Sequence, residues 1–526
     1  ASAILAQVYS SRGEEYRGVG GWVCIMLDSS EGRMALDGTG PGRVRPLADQ
    51  RSAPLMPNHG CQARELTTPA PGRGKSNFIA VVGNFSIQYN FVSASIALQV
   101  LTSSDYLGQP LYPEPAWSSD VTLAAVFLGA MVGMVCMGRL GDVMGRSRAL
   151  RATMTLAAVG AVVPACAFGP PNLAYSILCA GRLLLGVGVG GIFPLSAVHA
   201  AEGSSSDQSR GSRVTWAFFW QSPGQCMPYL VAMLLFWLVR PEPAQRWAPE
   251  LQFRLLFALG VIPGVLAIVA SMREEESAEF QGLVQRRQQQ PQMGVVAALR
   301  AEPAETRWTL LGTAGTWFFY DICFYGSATF TPDILDSICI SGTKHDGMCD
   351  QTLFQTAWQG LVVQAMSMPG CLLAILLINR IGSKRLNVIG LLLLCVNFAA
   401  MAVVSAVDRN AEATLFALFC MLTFLLNFGP NVGTYVLPAI CFPAHVRSTC
   451  HGLSSFGGKA GAALGALVFP AVKATRLGIP GVMAIQAIFA LIGAAVSQTL
   501  LKHDWDYLGP EDKCATQSFV EGAAGP

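Results

Sequence analysis

The stretch W-F-F-Y-D-I-C-F-Y, from Trp317 to Tyr325, holds the residues with the clearest potential for chemistry. It lies in a long apolar run, and Asp321 is the carboxylate in its middle. Trp317, Asp321 and Tyr325 are spaced i, i+4 and i+8, which places them along one face of a helix. A carboxylate at membrane depth is costly unless it is paired or faces water. We interpret Asp321 as a group that gains and loses a proton beside a polar ligand. The alternative is a structural carboxylate held by a nearby hydroxyl or lysine.

Lys459 is a possible partner for this carboxylate. It lies in S-S-F-G-G-K-A-G-A, deep in a glycine-rich apolar run, and Ser455 precedes it by one helical turn. A lysine opposite Asp321 would neutralise the site, or attract an anion once Asp321 is protonated. The alternative is that Lys459 extends its ammonium to the membrane interface.

Two further apolar runs contain polar or helix-breaking residues. In N-F-G-P-N, the amides of Asn427 and Asn431 share a helix face, and Pro430 interrupts the backbone ladder between them. We expect the backbone groups that this break frees to line a cavity at membrane depth. In Gly186–Pro194 the glycines permit close helix packing, and we expect Pro194 to unwind the helix. Two more polar side chains lie in apolar runs, Arg182 and Gln221.

The composition is typical of a membrane protein. Of the 526 residues, 52% are hydrophobic and 13% are charged, whereas soluble domains have about 25% charged residues. The net charge of +2 says little about partners. There is no zinc-binding cysteine pattern, no Walker A, G-x-S-x-G or H-E-x-x-H motif, and no basic pattern for nucleic acid. We therefore expect no enzyme, no ATP-driven pump, no metal, no cofactor and no nucleic-acid partner.

About twelve apolar segments follow residue 75, most of them near the roughly 20 residues that a membrane-spanning helix needs. The polar stretch Arg273–Arg307 divides them into six and six. We predict an all-α membrane protein with twelve transmembrane helices in two pseudo-symmetric halves. The predicted spans are 77–101, 120–138, 149–169, 173–200, 212–239, 253–271, 308–330, 353–379, 386–407, 411–439, 449–472 and 478–501. The expected division is a disordered extension at 1–75, an N-terminal half at 76–272, a cytoplasmic linker at 273–307, a C-terminal half at 308–501 and a cytoplasmic tail at 502–526.

Basic residues indicate the orientation of these spans. Arginine and lysine are concentrated in the connections that follow even-numbered spans, and the connection at 240–254 fits this pattern least well. The positive-inside rule then places both termini in the cytoplasm, and we expect the plasma membrane. Cys339 and Cys349 lie ten residues apart in one polar loop, where a disulfide is possible if the loop faces an oxidising compartment.

The two halves repeat a loop motif. G-R-L-G-D-V-M-G-R-S-R, Gly138–Arg148, follows the second span, and N-R-I-G-S-K-R, Asn379–Arg385, follows the eighth. Duplicated halves with a site at their interface are typical of secondary transporters.

Several stretches resemble a known family. Gly138–Arg148 resembles the loop motif of the major facilitator superfamily. G-G-I-F-P-L-S-A-V-H-A-A-E, Gly190–Glu202, is similar to G-G-D-Y-P-L-S-A-T-x-x-x-E of the plant and fungal phosphate:proton symporters. Trp317–Tyr325 resembles their W-F-L-L-D-I-A-F-Y. Asn427–Ala462 resembles their N-F-G-P-N, followed by F-P-A-R-x-R-S-T-C-H-G and A-G-K-A-G-A. The resemblance covers about residues 77 to 501.

This resemblance implies a secondary active transporter that moves inorganic phosphate by alternating access, coupled to protons as a symporter. The implied gating residues of the loop motif are Gly138, Asp142, Gly145 and Arg146, with Asp142 and Arg146 latching the cytoplasmic helix ends. The implied substrate-binding residues are Gln221, Trp317, Asp321, Tyr325, Asn431, Lys459 and Phe193, the last of which replaces a tyrosine and lacks its hydroxyl.

Three carboxylates of the resembled family are missing. The aspartate of span four is Ile192, T-D-A-Y-D of span one is S-I-Q-Y-N at Ser86–Asn90, and the glutamate after Pro438-Ala439 is Ile440. Asp321 then remains as the main group for proton coupling, and the coupling ion stays open between H⁺ and Na⁺. Because Ile192 and Phe193 make the span-four wall more apolar, an organic phosphate, another organic anion or a sugar is an alternative cargo. A phosphate sensor that does not transport is a further alternative.

Overall fold

The computed structural model describes residues 77–104, 107–202, 210–239, 245–272, 294–329, 343–345, 348–407 and 412–502. The predicted extension at 1–75, most of the tail and Cys339 lie outside these residues. The first six spans are formed by α1 (Phe78–Thr102), α2 (Ser118–Met144), α3 (Arg146–Ala165), α4 (Pro171–Glu202), α5 (Arg210–Phe219) with α6 (Gln221–Leu238), and α7 (Trp247–Leu259) with α8 (Val261–Met272).

The second set of six spans follows a short helix, α9 (Val295–Ala301). It consists of α10 (Ala304–Thr329), α11 (Leu353–Ala365) with α12 (Ser367–Ile381), α13 (Ser383–Val407), α14 (Glu412–Phe428) with α15 (Pro430–Ile440), α16 (Arg447–Lys473) and α17 (Gly478–Leu500). Between α10 and α11, the strands β1 (Thr343–His345) and β2 (Met348–Asp350) pair antiparallel, with Thr343 opposite Asp350.

Eight helical segments of the described residues are long and apolar enough to cross a membrane. The other four spans are α1, α3, α5 with α6, and α10, and three of them contain polar residues of the site described below. The twelve-span, two-half architecture expected from the sequence is confirmed. The eight segments are Ala124–Met144, Pro171–Glu202, Trp247–Met272, Leu353–Ile381, Ser383–Val407, Ala413–Ile440, Arg447–Lys473 and Gly478–Leu500.

The span that contains Pro194 differs from the prediction. We expected Pro194 to unwind it, but α4 is continuous from Pro171 to Glu202. Proline removes one backbone donor, and transmembrane helices tolerate this where neighbouring groups satisfy the freed carbonyls. In α4 the carbonyl left without a backbone donor is that of Gly190, which lies at the close contact with α2. The predicted break at Pro430 does occur, because α14 ends at Phe428 and α15 begins at Pro430.

Glycines set the distances between the helices. A Cβ at Gly190 of α4 would lie 2.1 Å from the Ala130 carbonyl oxygen of α2, within the N-terminal half. A Cβ at Gly452 of α16 would lie 2.1 Å from the Met134 carbonyl oxygen of α2, between the halves. Small residues allow such close backbone approach in membranes. The halves therefore pack against each other along α2 and α16.

Candidate functional site

A buried ion pair lies at the centre of the candidate site. Lys459 Nζ of α16 lies 3.0 Å from Asp321 Oδ2 of α10 and donates to the Tyr325 hydroxyl at 2.7 Å. Asp321 and Lys459 are each 2% exposed. The structure thus places Lys459 on Asp321 rather than at an interface with solvent.

The i, i+4, i+8 spacing on α10 explains why three of these side chains face the same helix. Trp317, Asp321 and Tyr325 follow one face, and α16 runs along that face with its glycines. A Cβ at Gly458 would lie 2.4 Å from Cδ1 of Trp317, so the indole occupies the space that this glycine leaves. Two of the three ammonium protons of Lys459 are used by Asp321 and Tyr325.

Phe193 of α4 brings the N-terminal half to this cluster. Its ring centroid lies 5.4 Å from Lys459 Nζ and 6.4 Å from the Trp317 ring. Phe127 of α2 makes an edge contact with Tyr325 at 5.0 Å. The ion pair therefore belongs to the C-terminal half, and aromatic side chains of the N-terminal half cover it.

Gln221 lies in a separate hydrogen-bonded cluster of the N-terminal half. It is the first residue of α6, because the fifth span breaks at Trp220. Gln88 Nε2 donates to its carbonyl oxygen at 2.8 Å, and Gln221 Nε2 donates to Asn84 Oδ1 at 2.7 Å. The structure does not bring Gln221 into hydrogen-bond contact with Asp321 or Lys459.

Asn431 is on α15, just after the break. Its amide donates to Asn427 Oδ1 at 2.9 Å, across the interrupted backbone. Among the described residues, its side chain makes no hydrogen bond to Asp321, Lys459 or Gln221. Tyr435, one turn later on the same helix, has its ring 6.5 Å from that of Phe193.

The sequence analysis did not single out three buried residues of this region, Asn84, Tyr435 and His451. Tyr435 and His451 are packed edge to face at 5.5 Å, and His451 and Trp317 at 5.7 Å. His451 Nε2 donates to the Tyr435 carbonyl at 3.1 Å. The sequence contained a signal for two of these three residues, since Asn84 precedes Gln88 by one helical turn and Tyr435 follows Asn431 by one helical turn.

The residues of the loop motif form an ionic network that joins the two halves. We call this end of the molecule the motif end, defined by Asp142, Arg146, Glu202 and Arg447. Asp142 accepts hydrogen bonds from the backbone N–H groups of Ser448 and Thr449, at 3.2 and 2.7 Å, and from the Thr449 hydroxyl at 2.7 Å. A carboxylate on the first turn of a helix also interacts favourably with the helix dipole.

Charged side chains complete this network. Arg146 lies 3.3 Å from Asp142 and 2.9 Å from Glu202, and it donates to the Ala444 carbonyl at 2.6 Å. Arg447 lies 3.3 Å from Glu202. Gly145, at φ 106°, separates α2 from α3 and allows the sharp turn between Asp142 and Arg146. At Gly138, a Cβ would lie 2.7 Å from the Ser448 carbonyl oxygen, so α2 and α16 touch there.

Two six-helix halves with a buried polar site at their interface define a transporter of the major facilitator class, rather than an enzyme. A family model described as "Sugar (and other) transporter" matches residues 76–310 and 347–501. The chain belongs to this sugar (and other) transporter family.

Curated relatives share sequence over most of the chain. The Toxoplasma gondii protein "Inorganic phosphate transporter PT2" is 32% identical over 459 residues, which are 86% of this chain and 75% of that protein. The Oryza sativa protein "Inorganic phosphate transporter 1-2" is 30% identical, over 74% of this chain and 82% of that protein. The Arabidopsis thaliana protein "Probable inorganic phosphate transporter 1-6" is 27% identical, over 80% and 90%. The resemblance found in the sequence motifs is confirmed.

Solved structures support the fold. The proton:xylose symporter XylE bound to 6-bromo-6-deoxy-D-glucose superposes with a TM-score of 0.64 at 17% identity, over 81% of this chain and 95% of that one. The inward-open xylose transporter XylE from E. coli gives a TM-score of 0.55 at 18% identity, over 81% and 96%.

Proposed function

We propose that this protein moves inorganic phosphate across a membrane by alternating access, with protons as the coupling ion. The names of its relatives support phosphate as the cargo. The observation on which the mechanism rests is the buried Lys459–Asp321 pair of the C-terminal half, with Tyr325 on the same ammonium and Phe193 of the N-terminal half over it.

The ion pair gives a simple coupling rule. With Asp321 ionised, Lys459 is neutralised by an internal carboxylate, and a phosphate anion would meet a like charge. Protonation of Asp321 removes that charge and frees Lys459 for the anion. Loss of the proton on the other side of the membrane restores the internal pair and expels the anion. Phosphate and a proton then travel in the same direction, which is symport.

The predicted ligands have complementary roles in this scheme. Lys459 supplies charge, and the Trp317 indole, the Tyr325 hydroxyl, Gln221 and Asn431 supply hydrogen bonds. Phe193 contributes its ring, which lies within 5.4 Å of the ammonium. These residues lie on both halves, so closing the halves around the anion brings the two sets together.

We favour Asp321 as the proton carrier because Arg182, a second buried charge, contacts a backbone carbonyl. This buried guanidinium donates to the Asn90 carbonyl at 2.7 Å, and no carboxylate contacts it among the described residues. Asn90 stands where the resembled motif has an aspartate. Arg182 therefore remains a fixed charge, and the proton-dependent step falls to Asp321.

The apolar wall of α4 does not favour a bulkier cargo. Ile192 is fully buried, and a Cβ at Gly83 of α1 would lie 3.1 Å from its Cγ2. Its side chain packs between helices of the N-terminal half and does not widen the site. Inorganic phosphate is thus preferred over an organic phosphate or a sugar.

We further propose that the motif end is cytoplasmic and that the protein works in the plasma membrane. The excess of arginine and lysine in the connections at the motif end supports this orientation. Protease or antibody access to tags placed at Met144, an exposed residue of this end, would test it in intact cells.

The deciding experiment is uptake of labelled phosphate into proteoliposomes, with and without an inward proton gradient, and with and without sodium. We expect uptake to rise with the proton gradient and to be independent of sodium. The Asp321→Asn variant should lose this pH dependence but keep exchange of internal for external phosphate. Uptake that follows sodium would overturn proton coupling. Absence of flux from folded protein would overturn transport and favour a sensor.

A further inference from the structure

Gln221 is held in one orientation by residues that the family motifs do not assign. Resting on the proposed function, we propose that Asn84, Gln88 and Tyr435 are positioning residues for Gln221, and that Tyr435 makes this positioning depend on closure of the two halves.

The hydrogen bonds fix both ends of the Gln221 amide. Its carbonyl oxygen accepts from Gln88 Nε2 at 2.8 Å, and its Nε2 donates to Asn84 Oδ1 at 2.7 Å. An amide nitrogen has two protons, so one N–H of Gln221 remains for an anion. A rotated amide would present its carbonyl oxygen, which repels phosphate. The two contacts thus select the orientation that can bind.

The local sequence makes this arrangement possible. Asn84 and Gln88 are one turn apart on α1 and face α6 together. Gln221 begins α6 directly after the break at Trp220, so its side chain projects from the first turn. The resembled span-one motif, T-D-A-Y-D, has alanine at the position of Gln88. The contact from Gln88 is therefore a property of this chain, not one transferred from the family.

Tyr435 extends the chain of hydrogen bonds across the interface. Asn84 Nδ2 donates to the Tyr435 hydroxyl at 3.1 Å, and that hydroxyl lies 2.8 Å from Ser196 Oγ. The Ser196 proton is directed to the Ile192 carbonyl, so Tyr435 donates to Ser196 and accepts from Asn84. Tyr435 is on α15 of the C-terminal half, whereas Asn84 and Ser196 are on the N-terminal half.

This geometry links the orientation of Gln221, and therefore phosphate binding, to whether the two halves are in contact. While the halves are closed near the motif end, Tyr435 holds Asn84, and Asn84 holds Gln221. When α15 moves away, the Asn84 amide keeps only its bond to the Ala80 carbonyl, at 2.9 Å on the same helix, so the acceptor of Gln221 is held less firmly. The anion then loses an oriented donor as its exit opens.

The test measures phosphate uptake kinetics of two variants in proteoliposomes, each made alone and in a Gln221→Leu background. Gln88→Leu removes the amide at similar volume, and Tyr435→Phe removes only the hydroxyl. Each should raise KM about two- to tenfold, the factor for one lost hydrogen bond, with little change in kcat for Gln88→Leu. In a Gln221→Leu background neither should raise KM further, because the residue they position is gone.

The control is Gln252→Leu, which removes another buried amide of the same half, bonded to the Val239 carbonyl at 3.0 Å. It should leave KM unchanged. An unchanged KM in Gln88→Leu would overturn the positioning role. So would an increase in KM that is just as large in the Gln221→Leu background. In either case, phosphate flux by the wild type would still uphold the proposed function. Absence of wild-type phosphate flux would instead overturn the proposed function itself. If Tyr435→Phe does not fold, Gln88→Leu still decides, because Gln88 bonds to Gln221 directly.

Discussion

Among single side chains, Asp321 and Lys459 have the largest free-energy cost of burial, and their pairing says most about the transport cycle. Two ions removed from water are tolerated when they lie at hydrogen-bond distance and their remaining groups are satisfied. The 3.0 Å pair and the hydrogen bond from Lys459 to the Tyr325 hydroxyl meet that condition. Such a pair is stable, yet one proton is enough to unbalance it. That combination suits a residue pair that must release and recapture an anion in each cycle.

Removing one member of this pair should destabilise the protein. Asp321→Asn leaves the Lys459 ammonium buried without a counter-charge, which costs about 3–5 kcal/mol. We expect a lower unfolding temperature in detergent, measured by intrinsic tryptophan fluorescence. The double variant Asp321→Asn/Lys459→Gln should regain most of the loss, because neither residue is then charged.

Phosphate provides a second readout for the same variant. An anion that binds Lys459 only in the folded protein should raise the unfolding temperature of Asp321→Asn more than that of the wild type. Equal stability of the single and double variants would contradict the pairing of Asp321 with Lys459. No phosphate effect on the single variant would contradict anion binding at Lys459.

Among the helices, α16 contributes both to the site and to the motif end. Its first turn binds Asp142 through the N–H groups of Ser448 and Thr449, and Lys459 lies further along the same helix. A rigid helix transmits a change at one end to the other. Separation of α16 from α2 would therefore break the Asp142 contacts and move Lys459 relative to the N-terminal half.

Asp142→Asn should weaken this contact and favour separation. The amide retains one acceptor oxygen and loses the charge that complements the helix end, a cost of about 1–2 kcal/mol. Hydrogen–deuterium exchange of the α16 peptide that contains Ser448 and Thr449 should accelerate about 5–30-fold. Glu250→Gln is the control, since it breaks a surface pair with Arg254 at 3.9 Å. Equal exchange rates in wild type and Asp142→Asn would show that the carboxylate does not hold the closed interface.

At the scale of the whole molecule, two glycines make the same kind of close contact, but one contact lies within a half and the other lies between the halves. Gly190 and Gly452 each face a carbonyl oxygen that an added Cβ would approach to 2.1 Å. The first contact lies within the N-terminal half, so it is part of the fold in every state. The second lies between the halves, so it exists only when they are closed.

Substituting alanine at Gly190 should lower stability, whereas substituting alanine at Gly452 should impair transport. Gly190→Ala forces α4 away from α2, and overpacking costs about 1–3 kcal/mol, so its unfolding temperature should fall. Gly452→Ala should keep a near-normal unfolding temperature, because the halves can separate to relieve the clash. It should instead lose phosphate uptake and show faster exchange at Ser448 and Thr449. A similar drop in unfolding temperature for both variants would argue against moving halves.

Most of the fold could be predicted because each span obeys a local rule. A transmembrane helix must be apolar over about 20 residues, so the segments and their division into two sets of six are visible in the chain. The breaks at Trp220, Gly260 and Met366 were not predicted, since no proline occupies those positions. The unwinding at Pro194 was predicted wrongly, because a helix packed among other helices can stay continuous despite one missing backbone donor.

The site residues that share one helix could be predicted from the sequence, whereas the contacts between residues on different helices could not. The spacing of Trp317, Asp321 and Tyr325, and the unusual lysine at 459, were evident in the sequence alone, because buried charge in an apolar run is costly wherever the chain folds. The 3.0 Å contact between Asp321 and Lys459, the hydrogen bonds that join Gln221 to Asn84 and Asn84 to Tyr435, and the packing of Ile192 beside Gly83 of α1 were decided by tertiary structure. Their partners lie 133 to 351 residues apart in the Gln221 cluster, and the period of one helix cannot specify which faces of different helices meet.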